Sequence, residues 1–264
     1  SLLSKQYVAD EIRDAFKIPI GHNRWLNEDV PAMVRKNLKG RISHTRHQGY
    51  KYSDLNYYLL QLIVEEIAGE RMDELLEREF YQPMHLGRLG FRPIGNFPAE
   101  QLVPTVTDKW LRGGLLRGYV HDEGAAFLGG VAGHAGLFAN AHDLGRLFQL
   151  FNDEGTFGDQ QLIAPETVAL FTGKNSYNYR ALGFDRLAGG WQNVINAGAS
   201  STTFGHLGFS GTSVWADSEN DVVFVLLTNR VHPDPNNKRF QKMQNRGKVH
   251  QGVYQALNSW EAAL

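Results

Sequence analysis

Two short segments combine residue types that could carry protons or bind an anion. Tyr52-Ser53-Asp54 stands immediately before the clearest helical pattern, and residues 205–209 read Gly-His-Leu-Gly-Phe at the start of a predicted strand. A tyrosine hydroxyl held at a helix start near cations is a candidate proton carrier. Glycines beside a strand let a ligand approach backbone N–H groups, which can bind a carboxylate or a developing oxyanion. The alternatives are an aromatic residue beside an ordinary N-cap pair, and a glycine bulge with a surface histidine.

A third segment, residues 124–138, is rich in glycine and alanine and contains His134. Glycines here allow one stretch of backbone to pack closely against another, which is the simplest interpretation of the pattern. A second interpretation is that His134 faces a cleft and contacts a ligand. The segment lacks the Lys-Ser/Thr ending of a phosphate-binding loop, and the chain has no Gly-x-Ser-x-Gly elbow and no His-Glu-x-x-His motif.

Composition excludes several functional classes. The 264 residues are 42% hydrophobic and 21% charged with a formal net charge of -1, which is typical of a globular protein. Such a balance gives no electrostatic footprint for nucleic acid. The chain has no cysteine, so disulfides, thiolate metal sites and a cysteine nucleophile are excluded. The longest clearly apolar run, residues 222–227, is far shorter than the roughly 20 residues of a membrane span.

Hydrophobic spacing predicts helices in the first two thirds of the chain. Residues 53–68 form the clearest helix, capped by Ser53 or Asp54 and stopped by Gly69. Five residues recur on its predicted core face: Leu55, Leu59, Leu62, Ile63 and Ile67. Further helices are expected at residues 72–80, after residue 138 and at 165–171. Residues 1–50 are expected to be the least regular part, with a short helix at residues 9–16.

The pattern changes to strands near the C-terminus. Residues 213–216 and 221–228 are rich in Val, Phe, Trp and Leu, and residues 217–220 between them are typical of a turn. The continuous apolar run 222–227 predicts a strand buried on both faces. Residues 238–258 are then expected to form a C-terminal helix. The predicted fold class is therefore α/β, with both helices and strands.

Taken together in this order, the three segments resemble motifs of the serine β-lactamase-like superfamily. This superfamily includes class C β-lactamases, D-alanyl-D-alanine carboxypeptidases and related esterases. Tyr52-Ser53-Asp54 resembles its Tyr-x-Asn motif, and His206-Leu207-Gly208 resembles its later Lys-Thr-Gly or His-x-Gly motif. Residues 52–61, 120–126, 129–138 and 205–212 resemble a subgroup found fused to family 3 glycoside hydrolases. The resemblance covers about residues 50–258.

The resemblance implies an architecture. An antiparallel sheet flanked by helices is expected, with a mostly helical and looped subdomain at residues 70–200. Residues 1–50 are expected to be an irregular N-terminal segment, and residues 51–264 the C-terminal part of the β-lactamase-like domain. The site is expected in the cleft between the subdomain and the sheet.

The resemblance also implies roles for single residues. In this superfamily a serine attacks a carbonyl and forms an acyl-enzyme, which water or an amine resolves. Tyr52 corresponds to the tyrosine that carries the proton, and the backbone N–H of Phe209 to part of the oxyanion hole. His206 stands where the family usually has lysine, so its positive charge is expected to depend on pH near neutrality. Asp54 stands where the family often has asparagine; substrate contacts are expected from Asp54, Gly208 and His134.

One family motif is absent from the 264 residues. The superfamily places its nucleophile in Ser-x-x-Lys, N-terminal to the tyrosine motif, and no serine of this chain is followed by lysine at that spacing. The nearest match is Ser43-His44-Thr45-Arg46, and arginine does not give up its proton to act as a base. We therefore expect this chain to be a truncated form that is inactive alone. Its uncovered apolar surface is expected to be covered by the missing N-terminal segment or by another copy of the chain.

Two functions remain open at this stage. The first is a serine acyl-hydrolase acting on D-amino acid peptides of the peptidoglycan type, on esters or on β-lactams. The alternative is a non-catalytic accessory or binding domain of the same fold, with which the missing nucleophile is compatible. The resemblance implies no metal or organic cofactor, no nucleic-acid partner and a periplasmic or cell-envelope location.

Overall fold

The structure, a computed structural model, describes residues 4–39, 52–174, 180–187 and 198–261. The chain divides into two compact units. Unit 1 contains the described residues of Ser1–Gln82, Arg88–Ala139 and His232–Pro235. Unit 2 contains those of Pro83–Gly87, Asn140–Val231 and Asn236–Leu264. The predicted boundary between residues 50 and 51 lies outside the described residues, so the predicted division into domains stays a prediction.

The helices and strands are named in chain order. The strands are β1 (Val8–Ala9), β2 (Phe16–Gly21), β3 (Arg24–Asn27), β4 (Leu89–Phe91), β5 (Pro104–Asp108), β6 (Gly114–Arg117), β7 (Leu137–Ala139), β8 (Thr156–Phe157), β9 (Gln160–Gln161), β10 (Asp185–Arg186), β11 (Phe204–Leu207), β12 (Ser213–Asp217) and β13 (Val222–Leu226). The helices are α1 (Val30–Lys39), α2 (Leu55–Ala68), α3 (Met72–Leu76), α4 (Glu123–Phe127), α5 (Ala141–Asn152), α6 (Pro165–Thr172), α7 (Arg239–Lys242) and α8 (Asn245–Glu261). A π-helical segment, Glu77–Tyr81, follows α3.

Unit 1 begins with structure where irregular chain was expected. Strands β1, β3 and β2 form an antiparallel sheet in that order, and α1 follows it. The predicted helix at residues 9–16 is wrong, because these residues end β1, turn and start β2. Short alternating segments such as residues 16–21 gain their strand identity from pairing across the turn at residues 22–23, which helical spacing does not reveal.

The predicted helix before Gly69 is confirmed as α2, but its buried face differs from the expected one. Gly69 ends α2 with a left-handed φ of 70°, as expected for a C-terminal glycine. Of the predicted core face, Leu62 packs into the unit 1 core, whereas Ile67 is 82% exposed. The inward face instead carries polar residues, and Gln61 is the fully buried residue of the helix. The hydrogen-bond partners of these polar residues, described below, explain why this face of α2 is buried instead of the predicted one.

Unit 2 contains the predicted antiparallel sheet flanked by helices. The strand order is β10-β11-β12-β13, and every described pairing is antiparallel. Phe148 of α5 packs with Val214 and Ala216 on one face. Val253 of α8 packs with Trp215 and Phe224 on the other face. The sheet is thus enclosed by one helix on each side.

The predicted strand–turn–strand is confirmed as the β12–β13 hairpin, but the burial differs. All five residues of β12 are buried, whereas in β13 only Phe224 is fully buried. Within the described residues β12 has a strand on each side and β13 ends the order, so β12 loses more contact with solvent. The helices predicted after residue 138 and at 165–171 correspond to α5 and α6. The predicted C-terminal helix is divided into α7 and α8.

Candidate active site

The tyrosine motif lies at the entrance of α2 in unit 1. Tyr52 is 61% exposed, and the side chain of Ser53 accepts a hydrogen bond from the Leu55 N–H at 3.3 Å. Asp54 is exposed and makes no capping bond with its carboxylate. Its carbonyl oxygen instead accepts from the N–H groups of Tyr57 and Tyr58, at 3.0 and 3.1 Å. Ser53 therefore does the side-chain capping, and the exposed phenol of Tyr52 and carboxylate of Asp54 are presented at the helix start.

His134 lies in the glycine-rich loop of unit 1 with a side chain only 6% exposed. Its Nε2 is 2.9 Å from Oδ1 of Asp122 and 3.3 Å from the hydroxyl of Tyr58. Burial alone would raise the pKa of Asp122, but the hydrogen bonds from His134 and the Ala125 N–H hold this pKa below its ordinary value. Burial, aided by the nearby Asp122 carboxylate, raises the pKa of the Tyr58 phenol. This is an internal network, and the substrate contact predicted for His134 stays a prediction.

Gln61 connects the glycine-rich loop that contains His134 to α2 by hydrogen bonds. Its Nε2 donates to the Val131 carbonyl at 3.2 Å, and its Oε1 accepts from the Gly133 N–H at 3.2 Å. The side-chain amide thus bonds the loop as a neighbouring strand would. Glu65, one turn further along α2, forms an ion pair with Arg35 of α1 and accepts from Gln61 Nε2 at 3.1 Å. These bonds compensate the burial of polar groups on the inward face of the helix.

The histidine motif lies at the end of β11 in unit 2. His206 is half-buried, and its Nδ1 is 2.9 Å from the Leu207 carbonyl oxygen. Because a carbonyl oxygen only accepts, this hydrogen bond assigns a proton to Nδ1. A Cβ at Gly205 would overlap the Val214 carbonyl oxygen, so β11 and β12 approach closely only with glycine at this position.

A tight turn follows His206 and includes both Gly208 and Phe209. The Gly208 N–H donates to the Thr212 carbonyl at 2.8 Å, and Gly211 has a φ of +116°. Arg246 of α8 closes the turn by donating to the carbonyls of Gly208 at 2.6 Å and Thr212 at 3.0 Å. A Cβ at Gly208 would overlap the Thr212 side chain, so the turn requires glycine there.

Phe209 and His206 each have a charged neighbour. The guanidinium of Arg230 stacks on Phe209, 4.5 Å from the ring centre. Asp185 of β10 pairs in register with Gly205 and forms an ion pair with Arg180 at 2.5 Å. Burial raises the pKa of Asp185, although the charges of His206 and Arg180 act in the opposite direction. The carboxylate of Asp185 is therefore part of the electrostatic environment of His206.

The structure groups the predicted residues into two sets. Tyr52, Asp54 and His134 belong to unit 1, and residues 206–209 belong to unit 2. Four supporting residues were not predicted as site residues: Asp122, Gln61, Asp185 and Arg246. Asp122 and Gln61 do lie in segments 120–126 and 52–61, which carry the family resemblance, and Asp122 precedes a run of small apolar residues, as an N-cap does. The nearest match to the serine motif, residues 43–46, lies outside the described residues.

Other features bear on the class of protein. None of the helices that the structure describes combines the length and hydropathy needed to cross a bilayer. Among the same described residues, no three His, Asp or Glu side chains cluster as metal ligands do.

Solved structures with the same fold support the expected fold class. The chain matches a penicillin-binding protein homolog from Caulobacter crescentus with a TM-score of 0.54 and 16% identity, over 84% of this chain and 65% of that one. It matches simvastatin synthase from Aspergillus terreus with a TM-score of 0.53 and 14% identity, over 77% and 54% of the two chains. At these identities the likeness concerns the fold alone.

Curated relatives are more similar in sequence. A protein of Escherichia coli K12 named "Putative D-alanyl-D-alanine carboxypeptidase" is 35% identical over 235 residues, which cover 78% of this chain and 53% of that protein. A protein of Bacillus subtilis named N-acetylmuramyl-L-alanine amidase is 32% identical over 265 residues, which cover 92% of this chain and 60% of the relative. The chain thus spans a little over half the length of these relatives.

The sequence model of one family matches nearly the whole chain. It is the beta-lactamase family, and the match runs over residues 17–246. The match includes both the tyrosine motif before α2 and the histidine motif on β11. The predicted resemblance is confirmed: the chain belongs to the beta-lactamase family, a family of hydrolases that includes penicillin-binding-protein-like members.

Proposed function

We propose that the protein is a serine acyl-hydrolase that cleaves D-alanyl-D-alanine-type peptides of the cell wall, with esters and β-lactams as alternative acyl donors. The observation that carries this proposal is the placement of the two motifs. The exposed Tyr52 and Asp54 open α2, and His206 and Gly208 lead from β11 into a tight turn. The names of the relatives from Escherichia coli and Bacillus subtilis, which concern D-alanyl peptides and muramyl amides, support this choice of substrate.

The proposed reaction is an acyl transfer in two steps. A serine hydroxyl attacks the scissile carbonyl carbon, and the tetrahedral oxyanion is stabilised by N–H groups that include that of Phe209. The C–N bond then breaks, and Tyr52 passes the serine proton to the leaving amine. Water attacks the resulting acyl-serine ester, returns a proton to the serine oxygen and releases the carboxylic acid.

His206 and Asp54 have different proposed tasks. In its protonated form, His206 provides a positive charge that favours an anionic group of the substrate. Asp54 contacts the amide N–H of the substrate, since an ionised carboxylate only accepts hydrogen bonds. Gly208 lets the substrate backbone lie against the strand end, because it has no side chain to intervene.

The nucleophile is proposed to come from a Ser-x-x-Lys segment outside the 264 residues, so that this chain alone does not hydrolyse substrate. The apolar stripe of α2 supports a missing partner segment or a second copy. Four residues define this stripe, all at least 39% exposed: Leu60, Ile63, Val64 and Ile67. An exposed apolar stripe of this kind is typical of a surface that another segment or chain covers. A cell-envelope location, periplasmic in bacteria with two membranes, is proposed from the substrate class.

The experiment measures D-alanine release from a diacyl-Lys-D-Ala-D-Ala peptide by the full-length gene product. We expect measurable turnover that falls by about 10²- to 10⁴-fold in Tyr52→Phe, the range expected for loss of a proton carrier. Tyr7→Phe, which removes a hydroxyl from a tyrosine packed on the unit 1 core, is the matched control and should retain activity.

Two results would count against the proposal. Full activity in folded Tyr52→Phe would remove Tyr52 from the mechanism. No turnover of peptide, ester or β-lactam by the full-length protein would favour the non-catalytic binding domain instead.

A further inference from the structure

In α2, the side chain of Tyr58 is linked to the backbone of Asp54, the proposed substrate contact. The Tyr58 N–H donates to the Asp54 carbonyl at 3.1 Å, so the position of Tyr58 determines where the backbone of Asp54 lies. The ring of Tyr58 leaves the helix towards the loop, where its centroid is 4.4 Å from that of His134. Because the ring of Tyr58 is held in the loop, Tyr58 restrains the first turn of α2 and the Tyr52–Asp54 motif that precedes it.

Two glycines make this contact sterically demanding. A Cβ at Gly124 would overlap the hydroxyl of Tyr58, and a Cβ at Gly133 would lie 2.5 Å from the Tyr57 carbonyl oxygen. The loop and the start of α4 thus lie directly against the first turn of α2. Since native packing leaves few voids, the ring of Tyr58 has little freedom to move.

The acid that holds His134 is itself held in place. Asp122 caps α4 by accepting from the Ala125 N–H at 2.7 Å. The two residues before it are bound by the buried guanidinium of Arg112, which donates to the carbonyls of Val120 and His121 at 2.5 Å each. Arg112 is also paired with Asp108 at 2.6 Å. Charge-assisted bonds thus connect the β5–β6 hairpin to the two residues that precede Asp122.

We propose that Asp122 and His134 are positioning residues for the Tyr52–Asp54 motif: they hold the ring of Tyr58, and through its backbone N–H they hold the first turn of α2 in the geometry needed for proton transfer. The effect on rate rests on the proposed function, whereas the effect on the motif itself does not. His134 then acts within unit 1 rather than on the substrate.

The proposal predicts a loss of positional order at Tyr52 when the network is broken. The test incorporates 3-fluorotyrosine at position 52 of the 264-residue chain and records its ¹⁹F NMR signal. We expect a single narrow line in the unmutated chain, and a shifted, broadened or split line in Asp122→Ala and in Tyr58→Phe. Tyr58→Phe keeps the ring and removes only the hydroxyl, so it remains informative if Asp122→Ala does not fold.

Two matched variants separate positioning from simple loss of a helix cap. Asn140→Ala removes the N-cap of α5, whose Oδ1 accepts from the Asp143 N–H at 2.7 Å, the same length as in the Asp122 cap. It should leave the Tyr52 line unchanged. Asp122→Asn retains an oxygen that can accept from both Ala125 and His134, so it should restore most of the unmutated spectrum. An unchanged line in folded Asp122→Ala and Tyr58→Phe would overturn the proposal.

Kinetics of the full-length protein provide the second readout. Displacement of a reacting group by about 1 Å can reduce rate by about 100-fold, so we expect kcat to fall by about 10- to 100-fold in Asp122→Ala while KM changes less than about threefold. Wild-type kcat in folded Asp122→Ala would contradict the kinetic part of the proposal. An inactive wild-type protein would refute the proposed function, and the ¹⁹F spectra would still decide whether the motif is positioned by this network.

Discussion

At the scale of single residues, the two motifs were visible in the sequence because their residue types are unusual for the places where they stand. Tyr52 and His206 were identified correctly as residues at a helix start and on a strand. Their supporting residues were not, because hydrogen bonds such as the one from His134 to Asp122 depend on how a loop closes. Sequence spacing does not encode that closure.

His206 gives the first prediction at this scale. The resemblance places His206 where the family usually has lysine, so a cationic side chain is the property to test. In the full-length protein, His206→Lys keeps a cationic side chain and should retain more kcat/KM than His206→Gln, which removes it. The measurement is kcat/KM of the wild type and both variants on the same peptide. Equal kcat/KM in folded His206→Lys and His206→Gln would contradict a charged role for His206.

Gly205 gives a second prediction, on stability. Gly205→Ala places a Cβ against the Val214 carbonyl and the Trp215 ring, so β11 and β12 must separate. We expect a loss of about 1–3 kcal/mol in the free energy of unfolding, as for other overpacked sites. Gly252→Ala is the matched control: it lies in α8 with no atom within 4 Å of the added Cβ, and should be neutral or stabilising by up to about 1 kcal/mol. Equal stability of the two variants in urea denaturation would contradict the close approach.

At the scale of elements, sequence patterns predicted the existence of helices and strands better than their orientation. The hydrophobic spacing of residues 53–68 identified α2, but the buried face follows Gln61 and Glu65, whose polar partners lie on α1 and in the loop at residues 131–133. Residues 9–16 were predicted wrongly because a short strand and a short helix differ little in composition. In both cases contacts with residues distant in the sequence, and not the local pattern, determined the structure.

The packing of α8 on the sheet predicts a pH-dependent stability of unit 2. His250 of α8 is buried against the rings of Phe224 and Tyr254, and burial lowers its pKa to about 4. The unfolded chain binds this proton near pH 6.5, so the folded state is favoured fully above pH 6.5 and loses this contribution as the pH falls towards 4. The difference corresponds to about 3 kcal/mol at most.

The test for His250 compares denaturation curves at pH 7 and pH 4.5. The wild type should lose more stability than His250→Gln over this interval, and His22→Gln, at an exposed position, should behave as the wild type. Asp217 does not contribute to this difference in stability. Despite its burial, hydrogen bonds from Ser200, Tyr254 and Asn220 lower its pKa to about 2. Its effect on stability is therefore expected only at more acidic pH. A parallel loss in wild type and His250→Gln would exclude His250 as the cause.

At the scale of the whole molecule, family membership was predictable because three spaced segments agreed with one family. The sequence predicted that a missing segment or a second copy covers the chain, but not which surface it covers. The exposed stripe of Leu60, Ile63, Val64 and Ile67 could not be anticipated, since the sequence pattern assigned part of it to the core.

This stripe predicts association of the isolated chain. The 264-residue chain should bind a hydrophobic dye or form a concentration-dependent dimer in analytical ultracentrifugation, because apolar surface on α2 remains in contact with water. Ile67→Glu should weaken both effects. Val103→Glu, at a residue that is 71% exposed in a connecting segment, is the control and should not. A monomer that binds no dye would contradict the proposed uncovered face.

The most direct test of the acyl-hydrolase account is intact-mass spectrometry under denaturing conditions after incubation with a penicillin or a fluorophosphonate. The account predicts one covalent adduct on the full-length protein, mapped to a serine in Ser-x-x-Lys, and no adduct on the 264-residue chain, whose mass should stay at 29.7 kDa. An adduct on a serine within the 264 residues, or none on a folded full-length protein, would contradict it.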